Sequence, residues 1–362
     1  MEVDFLIIGQ GISGTVVAQT IEQKSKTYYI IDNNINNTSS KIAAGIMHPM
    51  SFKRCILNWR GKEFFEFSQE FYLNHNKILN TKNFKKIKLF RLFSSFEEQN
   101  NWIGKSSSSI YSSVLGNEEK SIENIHNDYG NSEVKKCGHL NVKLFLKSSK
   151  KYFEKTKKII PDEFELNELK YDGKLFFYKG IYAKHIIMCQ GAHGLNNKIF
   201  GYLPIIANKG ELIDISTKYL PKFMLSKGVF SLPIDKEIFT VGSTYNHVDS
   251  FQGVTESAKD QLLKSLEKIC SIKDLKIIKQ KYGFRPTTID RKPIIGPHPT
   301  IKNMYIFNGM GSKAVLMAPL LAKELIEHIL NKKPLDQNIN VSRFIKKYSS
   351  EHYQFAKKFI KF

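Results

Sequence analysis

Only four cysteines occur in the 362 residues. Cys55, Cys137, Cys189 and Cys270 stand far apart with no Cys-x-x-Cys pair, which excludes a disulfide framework and a cysteine zinc site. All four read as reduced thiols. Long apolar runs are also lacking: Phe5 to Ile8 is too short for a secretion signal or a membrane span, and Met1-Glu2-Val3-Asp4 carries no basic n-region. A cytoplasmic protein with no transmembrane segment is the expectation. Acidic residues are scarce beside basic ones, 34 against 55, for a formal net charge of +21. Such a charge suits non-specific attraction to nucleic acid or anionic lipid. The basic residues are nevertheless mostly lysine and scattered along an Asn- and Ile-rich chain, which points to compositional bias more than to a nucleic-acid footprint. No Ser-His-Asp or metal-binding constellation stands out, so no metal is expected.

What is present is a chain long enough for two domains, 41% hydrophobic, that opens on a strand, a tight turn and a helix. Asp4 to Ile8 is apolar, Gly9-Gln10-Gly11-Ile12-Ser13-Gly14 follows, and Thr15 to Gln23 has helical spacing. The first glycine permits the turn and the second lets the backbone approach a pyrophosphate. The third lets helix and strand pack closely, with Ile12 and Ser13 at the helix end where phosphates bind. A second strand, Thr27 to Ile31, ends on Asp32, 18 residues after Gly14 and followed by Asn33. A carboxylate there accepts hydrogen bonds from a ribose and disfavours a 2′-phosphate, which argues against NADP. The motif alone does not separate FAD from NAD.

Further along, Asn33 to Ser40 reads as a loop, Arg60 to Leu79 as a helix, Ile87 to Phe93 as strand-like, and Asn141 to Tyr152 as a helix. Lys174 to Tyr178 and Tyr182 to Cys189 read as strands, the second running into Gln190-Gly191-Ala192. Pro204 to Ser243 is strand-rich, with turns expected at Lys209-Gly210 and Pro233-Ile234-Asp235, and Ala258 to Cys270 is helical. Met304 to Phe307 leads through Asn308-Gly309-Met310-Gly311 into a helix over Ser312 to Leu330. The alternation predicts an α/β fold. A Rossmann-type FAD-binding domain (1–80, 136–202 and 284–362) is interleaved with a β-rich α+β substrate domain (81–135 and 203–283).

The cofactor is separated by the run Gly283-Phe284-Arg285-Pro286-Thr287-Thr288-Ile289-Asp290-Arg291-Lys292-Pro293-Ile294-Ile295-Gly296 and the second glycine turn after it. Here the sequence resembles the D-amino acid oxidase and glycine oxidase superfamily of FAD-dependent oxidoreductases. Ala43-Ala44-Gly45-Ile46-Met47 is similar to that family's loop beside the flavin, and Cys189-Gln190-Gly191-Ala192 to its element beneath the cofactor. Lys209-Gly210-Glu211 and Val241-Gly242-Ser243-Thr244 fall where the family has a glycine turn and a glycine-threonine strand.

The resemblance implies dissociable FAD and hydride removal from the carbon beside an amine nitrogen, delivered to flavin N5. The imine then hydrolyses, and oxygen or another electron acceptor reoxidises the flavin. The implied substrate is a small amine or amino acid. Arg285 would grip its carboxylate through a forked guanidinium, or else brace the domain boundary by pairing with Asp290. Gly309, Gly311, Ser312 and Lys313 begin the last helix, whose N-terminus stabilises charge on the reduced flavin; Lys313 adds a cation or is a surface residue. His48 is either an acid or base facing the substrate or a loop histidine bonded to backbone. Tyr245, Asn246 and His247 are weaker candidates. The family's glycine oxidases carry an arginine near the position of Ser312, and its loss here removes a second anchor for a glycine-like substrate. The basic charge favours one alternative, a flavin-dependent tRNA wobble-uridine modification factor; another is a non-catalytic flavin-binding protein.

Overall fold

The computed structural model describes residues 1–35, 38–119, 121–196, 198–246 and 253–359. Two large sheets organise them. The first is built on parallel strands in the spatial order Ile159–Ile160, Tyr28–Ile31, Glu2–Ile8, Ile181–Met188, Met304–Asn308, with Phe176–Tyr178 and Ile294–Pro297 added antiparallel. Alternation along the first strand sends Phe5 and Ile7 into a core shared with the helices Ile12–Gln23, Gly61–Ile78, Val142–Lys155 and Ala314–Asn331. Leu6 and Ile8 enter a second core with Tyr171, Phe176 and Tyr178. Parallel strands covered on both faces in this way are the α/β arrangement expected of a Rossmann-type fold.

The second sheet is mostly antiparallel, in the order Lys276–Thr288, Ile205–Ser216, Ile238–Gly242, Val229–Pro233, Met224–Lys227, Leu89–Leu92, Asn131–Val134, Leu115–Glu119. One face packs Ile213, Val241 and Leu225 against Leu262 and Leu266 of the helix Glu256–Leu266. Behind this sheet Lys209 and Glu211 pair at 3.5 Å while nearly fully buried. Glu211 also accepts from the backbone and hydroxyl of Thr255, the residue that caps this helix. The opposite face looks into the space between the sheets.

Several sequence expectations change. Lys209-Gly210 is not a turn: both residues lie inside the strand Ile205–Ser216, and the glycine there answers a close approach rather than a reversal. Residues 284–288 pair with Ile205–Lys209 as the continuation of Lys276–Thr288. They therefore belong to the β-rich sheet, because its ladder runs unbroken past the expected boundary. The first helix starts at Ile12 rather than Thr15, and the Asn33–Ser40 loop gives way to a short helix, Ser39–Ile42. The last helix begins as a 3-10 turn at Gly311–Lys313 and becomes α-helical at Ala314. All four cysteines are free and buried. No helix of the described residues is long and apolar enough to cross a membrane.

Candidate active site

A cavity of about 1730 Å³ is lined from both sheets. At one end lie Gly9, Gly11, Ile12 and Ser13, with Asp32 and Asn33 beside them. Gly9 has φ +100°, and a Cβ there would stand 2.8 Å from the Cys189 carbonyl oxygen. Gly14 does not line the cavity; a Cβ on it would lie 1.8 Å from the Gly9 carbonyl oxygen, so it sets how closely the helix meets the turn. The helix Ile12–Gln23 has no side-chain cap at Gly11 and no acidic residue in its first turn. Its positive end is left open toward the cavity, apart from the Ile12 N–H donated to Ser40 Oγ at 3.1 Å. The two Asp32 carboxylate oxygens accept N–H groups of Gln10 and Asn34, each at 2.9 Å. Those bonds orient the carboxylate and leave lone pairs for hydroxyl donors.

The middle of the cavity is walled by Ala43, Ala44, Gly45 and Ile46 and, from other loops, by Gly191, Gly311, Ser312 and Lys313. Gly45 is required where it stands, since a Cβ would come 1.8 Å from the Leu140 carbonyl oxygen. Gly309 is set back from the cavity and packs against Thr288 and Ile294. Lys313 Nζ donates to Asn58 Oδ1, and burial followed by the nearby Arg291 lowers its pKa. His48 also lines the cavity, its ring stacked on Phe52 at 4.6 Å and 15°. Its Nδ1 is buried without a hydrogen-bond partner among the described residues. Burial, reinforced by the Lys313 charge, brings its pKa down to about 4, so the ring is neutral near pH 7.

Arg285 projects from the strand Lys276–Thr288, directly opposite Asn208 in the ladder. Its NH1 donates to Asn208 Oδ1 at 3.1 Å and to the Thr244 carbonyl at 3.2 Å. The guanidinium Cζ lies over the Tyr245 ring, 4.3 Å from its centre. A Cβ on Gly210 would be only 2.1–2.3 Å from guanidinium atoms. Among the described residues no carboxylate pairs with Arg285, and its Nε and NH2 have no partner. The expected pair with Asp290 is not formed, since Asp290 pairs with Arg343 at 2.8 Å. Thr244 to Asn246 are held in place by backbone bonds to Lys209 and Glu211, which sets Tyr245 over the guanidinium. His247 lies outside the described residues.

A family model described as FAD dependent oxidoreductase matches residues 4–328. The chain belongs to this family. Curated relatives include the uncharacterized oxidoreductase YurR of Bacillus subtilis (strain 168), 26% identical over 126 residues, which are 34% of each chain. The glycine oxidase of Pseudomonas aeruginosa PAO1 is 25% identical over 136 residues, 37% of each chain. These alignments thus span little more than a third of the relatives' own length. Among solved structures, iminodiacetate oxidase from Chelativorans sp. BNC1 superposes with a TM-score of 0.77 at 18% identity, covering 92% of this chain and 98% of that one.

The family's cofactor is FAD, and this chain's own atoms suit it. The glycine-walled turn, the open positive helix end and the oriented Asp32 carboxylate match the needs of an adenine dinucleotide diphosphate and ribose. Sequence reasoning missed Ser40 and Asn208, and it marked Gly210 and Thr244 only as parts of family-like stretches, without their place beside Arg285. The first is one hydroxyl in a polar run, and the other three acquire meaning only through strand register.

Proposed function

We propose that this FAD-dependent oxidoreductase oxidises the CH–NH bond of a small amine that carries a carboxylate. The observation that supports this reading is the half-buried Arg285 guanidinium, close to both Tyr245 and Gly210, with NH1 engaged and its Nε–NH2 edge unpartnered among the described residues. Two parallel N–H donors at a fixed angle match a carboxylate's two oxygens. Burial lowers the Arg285 pKa, so an anionic partner offsets a desolvated cation. In this reading FAD is held by the Gly9–Gly14 turn, Asp32, the 43–46 loop, Gly191 and the 311–313 turn, and supplies a two-electron acceptor for the hydride on the substrate carbon.

The chain's own groups do the rest. Arg285 fixes the carboxylate, with the Tyr245 ring lying beside its guanidinium. Oxidation requires an amine nitrogen free of its extra proton, and His48, neutral near pH 7, lines the cavity without adding a positive charge that would disfavour the developing iminium. The substrate loses a hydride from carbon and a proton from nitrogen, leaving a C=N bond that water hydrolyses to a carbonyl and an amine. The test is an anaerobic screen of amines with and without a carboxylate, following flavin absorbance. Bleaching by carboxylated amines, lost in Arg285→Lys with FAD retained, is the expected result. Equal bleaching by uncarboxylated amines overturns the carboxylate reading.

A further inference from the structure

The face of the second sheet that carries Arg285 is otherwise nearly devoid of charge where it meets the cavity. One row of directly paired residues crosses four strands on that face: Leu212 opposite Gly242, Gly242 opposite Phe230, and Phe230 opposite Ser226. A Cβ on Gly242 would lie 2.0 Å from Leu212 Cδ2 and 3.2 Å from Phe230 Cζ. The two side chains therefore converge over the glycine, in the room a larger residue would take. Met224 lies two residues before Ser226 on the same strand, and Phe52 comes from a separate 3-10 turn; both also line the cavity. The Ser226 carbonyl is already bonded by Arg91, whose charge is paired with Glu98.

The Arg285 head lies over Gly210, two residues before Leu212 on the same strand, so the apolar row begins roughly 7 Å from the guanidinium along the strand. A carboxylate held at Arg285 thus shares its cavity with these apolar side chains. We infer that Leu212, Phe230 and Met224 form a recess for an apolar substituent several carbons long, so that the enzyme selects carboxylated amines bearing such a group over glycine or sarcosine. The inference rests on the carboxylate reading of Arg285. Glycine leaves the recess empty of ligand, and a second charged group would be desolvated there without a counter-ion.

The test separates anchor from recess. Straight-chain carboxylates from acetate to hexanoate are titrated into the FAD-loaded protein by calorimetry. Affinity should rise roughly fourfold for each methylene that enters the recess. Phe230→Ala should flatten that dependence, and Leu212→Ala does the same test if the first variant does not fold. Arg285→Lys should weaken every member by a common factor and leave the slope intact. Equal affinity for acetate and hexanoate overturns the recess while leaving the carboxylate reading in place. An Arg285→Lys protein that binds the whole series as tightly as the parent overturns that reading and the inference with it.

Discussion

Gly210→Ala is the perturbation that tests the Arg285 geometry, because the added methyl meets the guanidinium first. The new methyl would fall 2.1 Å from NH2, 2.2 Å from NH1 and 2.3 Å from Cζ of Arg285. Ordinary contact between a methyl and such atoms begins near 3.5 Å, so the guanidinium has to move by about 1 Å or more. The atoms in the way are the far end of a flexible side chain, not backbone, and Gly210 lies in extended conformation within its strand. The strand therefore absorbs the change and the displacement falls on the guanidinium, which also lies over the Tyr245 ring. A displacement of about 1 Å at a binding group lowers kcat/KM by roughly a hundredfold, or about 2.7 kcal/mol of transition-state stabilisation. The assay compares Gly210→Ala with the parent on the carboxylated amine that bleaches the flavin best, with FAD content and melting temperature as controls. Unchanged FAD and Tm with a roughly hundredfold loss is the expected outcome. Full activity in a folded, FAD-loaded Gly210→Ala protein would refute the claim that the guanidinium works from its position over Gly210.

Other consequences concern the cofactor end and the protein's response to acid. Asp32→Ala removes a charged acceptor that two backbone N–H groups hold in place. FAD affinity should fall by roughly tenfold or more, about 1.5–3 kcal/mol, measured by flavin fluorescence on titration; an unaltered affinity puts the ribose contact elsewhere. Gly14→Ala puts a Cβ 1.8 Å from a backbone carbonyl that cannot swing aside. That variant should lose about 3 kcal/mol or more and with it FAD binding, whereas a parent-like melting curve would show the helix able to shift freely. His75 and His298 are buried, and burial pulls both down to about 4 from the usual 6.5. Between those values the unfolded chain binds protons that the folded chain refuses. Stability should therefore fall as pH drops from about 6.5 toward 4, by roughly 1.4 kcal/mol per pH unit per histidine at most. Urea unfolding at pH 7 and 5 should show this loss, smaller in His75→Gln; identical stabilities at the two pH values contradict it.

The features most legible in sequence are those whose meaning is local. Gly9, Gly11, Gly14 and Asp32 lie within two neighbouring strands, one turn and one helix, so their spacing alone carries the geometry of that end of the cavity. Arg285 was visible as part of a motif, but the reason it stands unpaired was not. Its partners Asn208 and Thr244 lie 77 and 41 residues away in sequence, and only the ladder between Lys276–Thr288 and Ile205–Ser216 brings them together. Gly210 shows the limit most clearly. A glycine between lysine and glutamate, in a strand-rich stretch, is read as punctuation because glycine's freedom of φ suits turns. In the folded chain it stays extended, and what matters is the absence of a side chain beneath a guanidinium from another strand. Gly242 repeats the pattern, its missing side chain leaving room for Leu212 and Phe230. In both cases the glycine makes way for a neighbour's side chain, and a single sequence does not record who that neighbour is. The same dependence explains the boundary expected between 283 and 284. The motif beginning at Gly283 looked like one unit, yet its first half forms the last rungs of the β-rich sheet and its second half enters the parallel one. Arg285 therefore stands near the place where the chain passes from one sheet to the other, where a side chain anchored in the β-rich sheet can reach the same cavity as the glycine turn of the first.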